Sequence, residues 1–391
     1  MKSGKILASI LCAVLLASDC LRHGFGSNLA LCQNVSGAPS LPKVRGSLKK
    51  SQDYRGVELA DISIVDKTRL FAVGAQKREG EPEQAVLLGT SDGGKTWRRM
   101  LVNRGMWFYA VHFINPKIGW IVGYDGLILK STDAGMTWIK QRTPVESSFI
   151  RIQIIDQQSG WVMGKDGELL HTSDGGNSWT SHKLEGHGWV WSKRSGHEFR
   201  GWLTSFYFSD NLNGWLVGQE GKVYQSTDGG VSWESRGTSL IRNIPEWGKS
   251  VVTFQAVKFL STKVGFIAAT VRPKEERDLP PKGILLKTED GGVTWACTVV
   301  TREDSLVRVE ILNDKEIWAI PGFGNRLLRT ENAGKTWISV NLPDEVGRAI
   351  NVRFVVSQTG WLISNDGMFA DEILYTVDGG RTWTEAKLGT Q

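Results

Sequence analysis

Residues 119–138 read GWIVGYDGLILKSTDAGMTW, two short apolar runs around a glycine loop, then a tight turn that ends on a tryptophan. The closing octet returns along the chain, as TSDGGKTW at Thr90–Trp97 and TSDGGNSW at Thr172–Trp179, and again with endings at Trp233, Trp295, Trp337 and Trp383. Seven copies fit Ser/Thr-x-Asp-x-Gly-x-Ser/Thr-Trp, with one departure at Asn332. A period of about 40–50 residues is the mark of a repeat architecture, and it is lengthened here where insertions fall.

Each repeat contains four short β-rich segments. In the second they are FYAVHFINP, IGWIVG, GLILKSTDAG and MTWIKQR, and in the third FIRIQIID, SGWVMG, GELLHTSDGG and NSWTSHKL. Four short antiparallel strands repeated seven times predict an all-β, seven-bladed β-propeller over 56–391, with the octet as the turn between the third and fourth strands of each blade. The glycine permits a positive φ, the aspartate accepts turn amides and the tryptophan packs back between strands.

The first 20 residues stand apart. Lys2 and Lys5 precede the apolar run from Ile6 to Ala17, a secretory signal by pattern and too short to span a bilayer, which predicts export to a periplasm, a thylakoid lumen or a cell surface. Cys20 at its edge is either an ordinary residue of the leader or a lipid-anchoring cysteine; Asp19 stands where a lipoprotein site wants a small residue. Residues 21–55 read as a basic, Pro/Gly/Ser-containing linker. Cys32 and Cys297 are either a disulfide of an oxidising compartment or two unpaired small hydrophobes. The cysteines show no metal-ligand spacing, and nothing in the sequence implies a cofactor. The formal charge of +6 is mild, and nucleic acid does not suit an exported chain.

Of 17 tryptophans, seven close the repeated turns, and Trp120, Trp161, Trp215, Trp318 and Trp361 share one place in the second strand, where Phe71 and Phe266 serve the other two repeats. Those twelve are expected in the core. The remaining five, Trp107, Trp189, Trp191, Trp202 and Trp247, fall between the last strand of one blade and the first of the next. In a propeller such connections emerge on one face, opposite the repeated turns, together with the loops between second and third strands. The insertions fall there too, and so do Arg104, Arg142, Lys193, Arg194, Arg200, Arg242, Lys249, Arg302 and Arg348. Trp107, Trp189, Trp191, Trp202 and Trp247 with Arg104, Arg194, Arg200, Arg242 and Arg348 therefore form the expected partner-binding surface of a monomer.

The inner strands carry a second polar set. Asp61, Arg151, Ser205, Arg308 and Asn351 align at one position, with Ala110 and Ala256; two residues on stand Ser63, His112, Gln153, Tyr207, Lys258, Glu310 and Arg353. They either line the central channel or form a satisfied polar seam between blades.

The repeated turn resembles the Asp-box, or BNR repeat, of sialidases and other propellers, where it is a folding element away from the active site. That implies no catalytic or metal role for Asp92, Asp133, Asp174, Asp228, Asp290 and Asp378. Sialidases grip a carboxylate with three arginines and use a Tyr–Glu pair and an Asp, and Arg151, Arg308, Arg353, Tyr207, Glu310 and Asp61 supply those residue types. The sialidase Arg-Ile-Pro element is missing, however; the nearest string is Arg242-Asn243-Ile244-Pro245.

The chain more closely resembles the photosystem II stability and assembly factor family of cyanobacteria and chloroplasts. The specific mark is Gly-Trp-x-x-Gly-x-x-Gly leading into the Asp-box, in residues 119–138, 160–179 and 214–233, and the resemblance covers about 56–391. It implies a non-enzymatic, exported protein that holds an immature membrane-protein subunit and its pigments on an arginine-rich surface. The Trp-rich insertion from Trp189 to Trp202, the insertion from Arg272 to Lys282 and the altered sixth box are this chain's own, and similar propellers occur in bacteria without a photosystem. Glycoside hydrolysis and polysaccharide binding through surface tryptophans are the competing readings.

Overall fold

Alternating β-branched and aromatic residues fold into seven four-stranded antiparallel sheets, spanning residues 57–104, 108–140, 149–182, 203–235, 250–301, 306–341 and 348–385. This is the expected seven-bladed propeller. The computed structural model describes residues 56–182, 203–237, 240, 244, 248–275, 278–365 and 371–388. The leader (1–20), the linker (21–55) and Cys32 lie outside the described residues, as do Trp189, Trp191, Trp202, Trp247, Arg194, Arg200 and Arg242. Cys297 is half-buried and has no disulfide partner among the described residues.

Each Asp-box joins the third and fourth strands as a closed hydrogen-bond unit. In the first, Thr90 Oγ1 donates to Asp92 Oδ1 (2.8 Å) and accepts the Gly94 amide (3.1 Å), while Asp92 accepts the Thr96 amide (2.9 Å) and hydroxyl (2.5 Å). The Trp97 indole donates to the Gly94 carbonyl at 3.0 Å. The box is then tied to the turn between the first two strands of its own blade, Gly93 N–H to Thr68 O in blade one and an equivalent bond in each of the other six. These bonds pair the turn's backbone groups and brace the loop against its own blade.

Blades are joined through the second-strand aromatics. Trp120, Trp161, Trp318 and Trp361 are 0% exposed. Phe71 stacks on Phe113 of the next blade (4.1 Å), Trp161 on Phe208 (4.5 Å) and Trp318 on Phe354 (4.8 Å). The second ring of each pair meets its own Asp-box tryptophan edge-on, as Phe113–Trp138, Phe208–Trp233 and Phe354–Trp383. Such pairs are worth about 0.5–1.5 kcal/mol each beyond area burial. The box glycine closes the stack from above: a Cβ on Gly94 would lie 2.3 Å from the Trp361 indole nitrogen, and Gly94 also has φ +83°. Only glycine fits there. The expectation that those twelve tryptophans are core holds with a gradation, because Trp138, Trp233 and Trp337 are only partly buried.

Trp361 of blade seven donates to Gly93 O of blade one (2.9 Å), and Asn351 donates to Asp61 (3.0 Å), so the ring is closed by side chains. Lys387–Leu388 adds a fifth, parallel strand outside Thr96–Arg104 of blade one, with the Lys387 amide on Lys95 O at 2.8 Å.

Candidate binding surface and channel

The hydrogen bonds separate two faces. Asp-boxes bond to the turns between first and second strands, whereas inter-blade connections bond to the loops between second and third strands, as in Gly126 N–H to Ser147 O, Lys165 N–H to Ser148 O and Lys274 N–H to Lys249 O. The described connections and insertions therefore share one face, opposite the Asp-boxes.

Two of the ten expected partner-binding residues have described side chains. The Trp107 indole donates to Glu83 Oε2 at 2.5 Å, its ring carries Lys77 Nζ 5.0 Å from the centroid, and its carbonyl accepts the Tyr124 amide. Arg348 donates to Gly322 O at 2.9 Å. Both side chains are partly buried and tether loops of this face. Arg104 ends the fourth strand of blade one, and only its backbone is described. The surface between these tethers carries the exposed cations Arg142, Lys249 and Arg302. It also carries Tyr124 (47% exposed), Phe323 (48%) and Leu279 (51%), which the tryptophan census passed over. Tyr124 and Phe323 each follow the glycine, or the proline–glycine, that ends a second strand, and an aromatic at such a loop tip was the available signal.

The channel set is placed by a feature repeated in every blade. Each first strand has a β-bulge, as between Leu59 and Asp61, Phe108 and Ala110, Leu203 and Ser205, Leu306 and Arg308, or Ala349 and Asn351. A bulge bends the strand and re-aims the side chains that follow it. The following row then bonds to the next blade: Phe113 N–H to Ser63 Oγ (3.0 Å), Gln153 to both backbone groups of Phe208 (2.8 and 2.9 Å), Lys258 to Ile311 O (3.2 Å) and His112 to Ile154. The seam reading describes these residues. Burial pushes the His112 imidazole down to about 4, outweighing the opposite pull of Asp61, so it is neutral at physiological pH.

The charged members converge. Glu310, 5% exposed, accepts Arg353 Nη1 (2.9 Å) and Lys258 Nζ (3.3 Å). Burial works to raise its carboxyl, but Lys258 and Arg353 prevail and hold it below the usual range. Asp61 accepts Asn351 (3.0 Å) and the Val111 amide (3.3 Å) and lies 3.8 Å from Arg353. Burial, then the Glu310 charge, raises the Tyr207 phenol. Of the sialidase-like set, Arg353, Glu310 and Asp61 form an ion-pair network with Lys258, so both carboxylates are already engaged. The six Asp-box aspartates lie on separate blades, each held by its own turn, as Asp290 is by Thr288 and Thr294.

These features define a seven-bladed Asp-box propeller with its variable loops on one face and a charged channel through its centre. The family model for the photosynthesis system II assembly factor YCF48 matches residues 101–188 and 278–390, more than half of the sequence, and the chain belongs to that family. No curated protein matches the sequence. Among solved structures, YCF48 bound to D1 peptide is similar at 17% identity and TM-score 0.58, covering 86% of this chain and 99% of that one. YCF48 from Cyanidioschyzon merolae is similar at 20% identity and TM-score 0.59, covering 83% and 96%. An ancestral GH74 enzyme shares the fold at 12% identity and TM-score 0.60, covering 85% of this chain and 46% of its own.

Proposed function

We propose that this protein is an exported, non-enzymatic scaffold that holds a protein client, a photosystem II subunit or another membrane protein, on the face carrying its inter-blade connections. Membership of the YCF48 family carries the reading, and the solved YCF48 complex with a D1 peptide supports a polypeptide client. The geometry agrees with it. A rigid ring presents aromatic and arginine side chains beside variable loops, the usual make-up of an interface hot spot. The engaged state of Glu310 and Asp61 argues against the sialidase-like chemistry, which needs one carboxylate free as an acid or base. The signal-like first 20 residues support an exported location.

The test is capture of solubilised native membrane proteins on the exported protein, with charge reversal at Arg200 and Arg242 compared with reversal at Lys95 and Arg381 in the Asp-box turns. We expect client retention to fall about tenfold or more in the first pair only. Equal loss from both faces would remove the proposed surface. Saturable hydrolysis of sialosides or β-glucans that disappears in Glu310→Gln would replace the scaffold reading with an enzymatic one.

A further inference from the structure

The two inward rows contain four cations, Arg151, Lys258, Arg308 and Arg353, against two carboxylates, Asp61 and Glu310. Arg353 is fixed by both carboxylates, Lys258 by Glu310 and the Ile311 carbonyl, and Arg151 by the Thr204 carbonyl at 2.8 Å. Arg308 differs from these three. It has no hydrogen-bond partner among the described residues, and it lies deep in the protein while keeping part of its surface open, as a side chain lining a channel does.

Burial and the like charges of Arg151 and Arg353 depress its guanidinium to about 9, with Asp61 and Glu310 opposing only in part. A cation kept in such a place costs stability, and an apolar residue of similar volume would relieve that cost. The bulge between Leu306 and Arg308 re-aims the strand at this position, so the placement is built into the backbone.

We propose that the central channel holds an anion site for a carboxylate group, with Arg308 as its principal ligand, Arg151 beside it, and Arg353, locked by Glu310 and Asp61, as its wall. A guanidinium presents a planar fork that a carboxylate fills with two parallel hydrogen bonds. Inside the channel that pair is screened less than at the surface. The carboxylate comes either from a small organic acid or from the terminus of a polypeptide threaded into the channel. The inference stands apart from the client reading, since it uses no residue of the connection face.

The experiment titrates the full exported protein with succinate, and with one short peptide as the free acid and as the C-terminal amide, against chloride at equal ionic strength. Calorimetry and thermal midpoint are read together. Succinate or the free-acid peptide is expected to bind and raise the midpoint, with the amide and chloride inert; which of the two binds identifies the source. Arg308→Gln should weaken binding about tenfold or more, and Arg151→Gln should weaken it as well. Arg308→Met should bind nothing yet melt higher than the parent. Absence of binding by both acids, or unchanged affinity in Arg308→Gln and Arg151→Gln, would overturn the site. Charge reversal at Arg200 and Arg242 should leave the titration unchanged, which separates this result from failure of the client surface.

Discussion

The two faces of the ring are built by opposite rules. On the Asp-box face one turn is spelled seven times; each copy is tied by a backbone hydrogen bond to the strand-one to strand-two turn of its own blade, and in six of the seven the box glycine packs on an aromatic of the blade before it. On the opposite face the described connections differ from one another and are held by contacts particular to each, such as Trp107 to Glu83 or Arg348 to Gly322. Repetition marks where the fold resides, and irregularity marks the face proposed for the partner.

The largest way to break that contrast is to remove an aromatic beneath an Asp-box. Trp361→Ala takes out a fully buried indole that also bonds across the ring closure, and should cost about 3–5 kcal/mol in chemical denaturation. Trp138→Ala, at a partly buried box position, should cost clearly less. An equal loss at both sites would mean that the inter-blade stack does not carry the stability assigned to it.

Next comes Gly380→Ala. Gly380 has φ +77° and an added Cβ would sit 2.5 Å from the Trp318 ring, so strain and contact together should cost about 1–3 kcal/mol. Gly324, on the opposite face, has φ +82° with nothing within 4 Å of an added Cβ, and the same substitution there should show the strain without the clash.

Acid sharpens the comparison further. Hydrogen bonds from Ser178, Ser232 and Thr294 hold the carboxyls of Asp174, Asp228 and Asp290 at about 2, below the ordinary 3.8. Below about pH 4 the unfolded chain takes up protons that the folded boxes refuse. Their contribution is therefore complete above pH 3.8 and lost as pH falls toward 2. Box six cannot take part, because Asn332 donates its amide to Thr336 Oγ1 (2.8 Å) where the others accept a hydroxyl. Asn332→Asp should raise the neutral-pH thermal midpoint by about 1–2 °C and steepen the acid loss; a midpoint with the same pH dependence as the parent would contradict the account.

The smallest effect is expected on the variable face. Phe323→Ala, at an exposed loop tip, should change stability by no more than about 0.5 kcal/mol while reducing client capture. A large destabilisation would return Phe323 to the scaffold.

How much of this was legible follows from what each feature is made of. The Asp-box and the strand-two aromatics are side-chain signals, each fixed by packing or hydrogen bonding to one residue type, so blade number and strand order could be read from Trp120 and its equivalents. The seven bulges could not. The residues they skip, among them Ala60, Tyr109, Thr204 and Val307, share no chemistry, because a bulge is an event of the backbone. Without the bulges the seam and channel readings looked like alternatives. With them, one row bonds to the neighbouring blade while its charged members gather on the axis. The face proposed for the partner was legible in where the insertions fall, and its described tryptophan proves to be a tether.

The parallel strand Lys387–Leu388 on the outer edge of blade one sets a schedule for biosynthesis. Blade one leaves the ribosome first, yet its outer edge, its Asp-box glycines and Asp61 all wait for segments from Asn351 to Leu388, and the Asn351–Asp61 bond spans 290 residues of sequence. Until those arrive, an open strand edge and an uncapped aromatic pocket face outward, the features through which nascent chains pair with one another. A chain that ends before residue 351 lacks the Asn351–Asp61 and Trp361–Gly93 bonds and the strand that close the ring.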